Sequence, residues 1–165
     1  MNTIVRDEYP RPNFYREGWQ TLNGEWDFSF DTPTFDRTII VPFVYESGMS
    51  GIGEHAFHPR VWYRRSFSLD SRYEDRRVLL HFGAVDYRCD VYINENLCGS
   101  HEGGQCSFSF DITEYVDRGK ENTIMVKVDD DPFDLEQPRG KQYWEEKPKS
   151  IFFMHSTGIW QSVWL

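Results

Sequence analysis

Residues 78–113 narrow the possible folds more than any other stretch of the chain. They read VLLHFGAVDYRCDVYINENLCGSHEGGQCSFSFDIT, short apolar runs separated by turn formers with no helical period. Val78 to Phe82 is a five-residue, mostly apolar run, and Cys89, Val91 and Ile93 fall on one face at a spacing of two, as a half-buried strand requires. Asn94-Glu95-Asn96 tolerates left-handed backbone, so Leu97-Cys98-Gly99 is expected to return as a hairpin partner. His101 to Gln105 reads as a polar loop, and Phe108-Ser109-Phe110 resumes the alternation.

The same period recurs along the chain. Trp26, Phe28 and Phe30 alternate with Glu25, Asp27 and Ser29, and Tyr63, Phe67 and Leu69 oppose Trp62, Arg64, Ser66 and Ser68. Ile124, Val126 and Val128 alternate with Met125 and Lys127, and residues 159–165 read as one last strand. Residues 38–41 form a strand stopped by Pro42, which cannot donate to a ladder. Two long irregular segments, 45–59 and 133–153, interrupt the pattern, and such loops on a β scaffold are where ligand contacts concentrate. Residues 1–20, with Pro10 and Pro12, read as an extended arm. About eight short strands and no helix beyond a turn predict an all-β, antiparallel, two-sheet sandwich.

A chain of 165 residues suits one domain with a substantial core. Its net charge of −9, with no offsetting basic cluster, excludes nucleic acid as a natural partner. No apolar run approaches the length of a membrane-spanning helix, and the first twenty residues lack a secretory apolar segment, so a cytoplasmic location is expected. Cys89, Cys98 and Cys106 cannot all pair and are expected as reduced thiols. Asp129-Asp130-Asp131 reads as a solvated strand end, since Pro132-Phe133 breaks calcium-loop spacing. The chain stops inside an apolar strand pattern, which points to truncation from a larger multidomain protein.

A series of motifs carries a resemblance. FGAVDY, a strand ending in VYIN with Gly99 five residues on, and then HEGG and FSFDIT are similar to the N-terminal sugar-binding domain of glycoside hydrolase family two. LNGEWDFSFD at 22–31, VPF and ES within 41–47, VWYRRSFSL at 61–69, RGKQYW at 139–144 and TGIWQSVWL at 157–165 resemble it in the same order. Glu95, where the family commonly has Gly, is the one departure. The resemblance implies a jelly roll of the galactose-binding-like type, from a retaining β-galactosidase or β-glucuronidase whose catalytic glutamates lie in a C-terminal (β/α)₈ barrel that this sequence does not encode. It implies no catalytic residue, metal or cofactor here. It also implies that Glu46, Gln142 and Trp144 reach toward the barrel's sugar pocket as substrate contacts, with carbohydrate and barrel as partners and a homo-oligomeric parent allowed. A stand-alone carbohydrate-binding module and a purely structural or interaction domain are the alternatives.

Overall fold

The computed structural model describes residues 5–165. The strands are β1 (Gly24–Phe30), β2 (Arg37–Val41), β3 (Arg60–Ser68), β4 (Leu79–Phe82), β5 (Val85–Asp86), β6 (Arg88–Ile93), β7 (Asn96–Glu102), β8 (Phe108–Asp111), β9 (Glu121–Asp129), β10 (Gly158–Ile159) and β11 (Val163–Trp164). One sheet runs β2-β1-β3-β9-β6-β7; the opposing layer holds β11-β4-β8 and the two-stranded β10-β5. Every strand pair is antiparallel. The sandwich expected from the period-two pattern is therefore present.

The alternation sets what is inside. Trp26 and Phe28 of β1, Val61, Tyr63 and Phe67 of β3, Val91 and Ile93 of β6 and Ile124, Val126 and Val128 of β9 are buried. They meet Leu80, Phe82, Ile112, Ile159 and Val163 of the other layer. Packing rings from adjacent strands edge to face, as Phe28 and Tyr63 do at 5.1 Å, adds to simple area burial. Arg65 occupies an inward position on β3 and is accommodated because its Nη1 donates to the carbonyls of Leu22, Asn23 and Glu25 at 3.0–3.2 Å. Burial nonetheless lowers its pKa.

Two local expectations change. Residues 159–165 do not form one strand: Gly158–Ile159 pairs with β5, and Val163–Trp164 pairs with β4. The chain bends between them at Gln161-Ser162, where the Ser162 carbonyl accepts from Gly83 N at 2.8 Å. The eleven strands include three two-residue pieces too short for any period to reveal. Residues 20–22 run antiparallel to β11, with Gln20 and Leu165 exchanging backbone bonds at 2.9 and 3.0 Å.

The β6–β7 hairpin turns at Asn94 (φ 47°) and Glu95 (φ 68°), both left-handed. Asn94 fits, because its Nδ2 donates to the Tyr115 carbonyl and its Oδ1 accepts from Thr123 N, each at 2.9 Å. Glu95 gains no such bond among the described contacts, and a left-handed residue with a Cβ is disfavoured by about 1–2 kcal/mol. Glu95→Gly relieves that strain but enlarges the unfolded ensemble, so a net stabilisation of roughly 0.5 kcal/mol is expected. A higher urea midpoint at unchanged slope would register it; a lower midpoint would show the side chain to be needed.

Candidate functional site

The two long loops converge at one end of the sandwich. Pro42 ends β2, and the chain then wraps around Tyr45, whose carbonyl accepts from Gly53 N at 2.9 Å and whose hydroxyl donates to the Ala56 carbonyl at 3.0 Å. Fixing Tyr45 this way turns the next side chain, Glu46, inward, where it is 3 % exposed. Its Oε1 accepts from Thr157 N at 3.0 Å. In the second loop Gln142 Oε1 accepts from Ser156 N at 2.7 Å, and its Nε2 donates to Asp86 Oδ2 at 2.7 Å. Glu46 and Gln142, two of the three residues singled out from the sequence, thus hold successive peptide N–H groups of one segment, Ser156-Thr157.

Beneath that segment lies a polar cluster. Asp130, 1 % exposed, accepts from Thr157 Oγ1 at 2.8 Å through Oδ2 and from Gln137 Nε2 through Oδ1. His155 Nε2 stands 3.0 Å from Asp130 Oδ2 but is not aligned for a hydrogen bond, so it and Glu46 Oε2 are buried without a hydrogen-bond partner. Burial pushes Glu46 up to about 8, with Asp130 adding to the effect and the Thr157 hydrogen bonds opposing it. Burial and then Asp130 raise Asp86 to about 6, opposed by its bond from Gln142 and by His155. Three carboxyls this close to full burial are expensive unless protonated or hydrogen-bonded, and here they order the two loops. Turned onto backbone and side-chain donors, they present no open pair to a sugar.

Trp144 is placed differently. It is 47 % exposed and rests on Tyr143 and Phe152, with ring centroids 4.4 and 5.3 Å away. Beside it is an open groove of about 450 Å³ lined by Phe133, Leu135, Gln137 and Arg139. An aromatic face next to amide and guanidinium donors can stack on the apolar side of a pyranose while bonding its hydroxyls. Among the described residues, no group of three His, Cys, Asp or Glu is arranged to hold a metal ion.

Asp86, Asp130, His155 and Thr157 escaped the sequence reading. Asp130 corrects the expectation of a solvated strand end: it is the most buried carboxylate of the cluster. Asp86 carried a usable signal, a lone acid inside the apolar run Gly83 to Tyr87. The remaining two sit in an irregular loop where no period fixes side-chain direction.

The sequence profile described as glycosyl hydrolases family 2, sugar binding domain, matches residues 19–165. A β-galactosidase of Thermoanaerobacter pseudethanolicus is 32 % identical over 152 residues, which cover 88 % of this chain and 19 % of that protein. A β-glucuronidase of Formosa agariphila is 29 % identical over 155 residues, covering 93 % of this chain and 14 % of the relative. The crystal structure of a Bacteroides uniformis β-glucuronidase superposes with a TM-score of 0.69 at 25 % identity, over 88 % of this chain and 17 % of the other. This chain therefore spans a fifth or less of these relatives. With its profile match covering nearly the whole length and its sandwich shared with solved relatives, the chain belongs to the sugar-binding domain family of the glycosyl hydrolases of family 2.

Proposed function

We infer that the chain serves as the N-terminal sugar-binding domain of a retaining β-glycosidase of the β-galactosidase or β-glucuronidase type. Hydrolysis of the terminal glycosidic bond falls to a separate (β/α)₈ barrel, and the 165 residues alone are inactive. The observation that carries this reading is the contrast within one loop: Gln142 is spent on internal hydrogen bonds, whereas Trp144, two residues on, offers an exposed ring over a polar groove. In this role Glu46, Asp130 and Gln142 are positioning residues that hold the loop, and Trp144 touches the sugar. The three free cysteines suit a reducing, cytoplasmic setting.

Hydrolysis requires two carboxyls facing a shared glycosidic bond, about 5–5.5 Å apart for retention. The buried acids here are committed to internal donors, which is consistent with an accessory part. The purified chain is expected to leave nitrophenyl β-galactoside and β-glucuronide intact. In the intact glycosidase Trp144→Ala is expected to raise KM about 3- to 10-fold, the worth of one aromatic contact of about 0.5–1.5 kcal/mol, with a smaller change in kcat. An unchanged KM would favour a purely structural domain, and turnover by the isolated chain would overturn the division of labour.

A further inference from the structure

The N-terminal arm and the core line a second, open cleft, of about 390 Å³, that shares no residue with the groove beside Trp144. The arm's position is specified by a buried side chain: Asn23 donates from Nδ2 to the Arg6 carbonyl at 2.9 Å and to Ser162 Oγ at 3.1 Å, while its Oδ1 accepts from Val163 N at 2.9 Å. The cleft is thus built into the fold, and its volume falls in the range of small-molecule sites.

Its chemistry is selective. Arg6 and Glu8 lie 3.6 Å apart and offset each other. Arg11 has no carboxylate within 4.0 Å among the described residues; it donates to Ser107 Oγ at 3.2 Å and lies 5.8 Å from the Trp164 ring centroid, which leaves further guanidinium donors free. Tyr9 supplies an apolar wall, and Ser107 and Gln161 supply hydroxyl and amide groups. His81 stacks on the Trp164 indole at 5.0 Å, its protonation disfavoured by burial and then by Arg11 and Arg16. In a chain of net charge −9 this corner is locally positive.

We propose that the cleft under the N-terminal arm binds a sugar acid of hexuronate size, Arg11 gripping the carboxylate and Tyr9, Ser107 and Gln161 contacting the ring and its hydroxyls. A guanidinium matches a carboxylate through two parallel N–H bonds, and the cleft's volume suits one monosaccharide. The site goes beyond the Trp144 reading, and it stands or falls separately from it.

Calorimetric titration of the 165-residue chain with glucuronate at pH 7 and low salt tests the idea. Saturation in the low-millimolar range is expected, with glucose about tenfold weaker for want of the charge-assisted bond. Arg11→Gln should weaken glucuronate about tenfold, and Arg11→Lys should weaken it less. Amide chemical shifts of the wild-type chain guard against a folding defect in the variants: glucuronate should move Gly83, Ser107 and Gln161. Absence of saturation, equal binding of glucose, equal binding of inorganic phosphate, or shifts confined to residues 133–144 would each overturn the proposal.

Discussion

Gly158→Ala is expected to cost roughly 3–5 kcal/mol, a large share of the 5–15 kcal/mol that holds a typical domain folded. Two independent effects converge on this position. The backbone at Gly158 has φ +90°, where a side chain is strained by about 1–2 kcal/mol. A Cβ there would also run into the Tyr63 hydroxyl and ring, on a residue that is fully buried. Tyr63 cannot simply swing aside, because it lies within the core against Trp26 and Phe28 and its hydroxyl accepts from Ile159 N at 3.3 Å. Overpacking of this kind costs about 1–3 kcal/mol, and losing the hydrogen bond adds about 1. The melting temperature should fall on the order of 10 °C. Tyr63→Phe in the same background removes the oxygen that is struck and should recover part of the loss; a double variant no better than Gly158→Ala would place the damage in the backbone alone.

How far the residues announce this arrangement depends on whether a period is available. On β3, β6 and β9 the alternation of Tyr63 with Arg64, Val91 with Tyr92 and Ile124 with Met125 fixes inside and outside, since a one-residue slip would bury charge. The hairpin at Asn94-Glu95 is equally legible from its local chemistry. Where the chain leaves regular structure the signal weakens. Trp160 to Ser162 interrupt the last strand with no Gly or Pro to mark the break, so two pieces in different sheets read as one. Asp130 reads as solvent-facing because two flanking aspartates suggest water; its burial depends on Gln137 and Thr157, donors contributed by a loop whose course is set by tertiary contacts. Glu46, Gln142 and Trp144 were recognisable as loop residues of the right chemistry. Only packing decides that the first two point in and the third points out.

The inward turn of Glu46 has a measurable consequence. Its folded pKa, about 8, stands above its ordinary value of 4.5, so the folded state binds this proton more tightly than the unfolded chain does. The sign follows directly: the contribution is fully present below pH 4.5 and is lost as pH rises through 8, a loss of a few kcal/mol. Asp86, raised from 3.8 to about 6, acts in the same direction but over a lower window, between about pH 4 and 6. His81, lowered mainly by burial, acts oppositely below its ordinary value of 6.5. Subtracting the variant's profile from the wild type's removes both of these and isolates position 46. Glu46→Gln keeps an acceptor for Thr157 N and cannot ionise. It is expected to match wild type within about 1 kcal/mol at pH 5, where both side chains are neutral in the folded state, and to exceed it by about 2 kcal/mol or more above pH 8. Denaturant unfolding at several pH values gives the comparison, and parallel profiles would mean that Glu46 ionises in the folded chain as freely as in water. Because the Thr157 bond couples the two loops, the same rise in pH should loosen residues 142–157 before the sheets. Faster amide exchange at Ser156 and Thr157 in wild type, absent from Glu46→Gln, would mark that order of events.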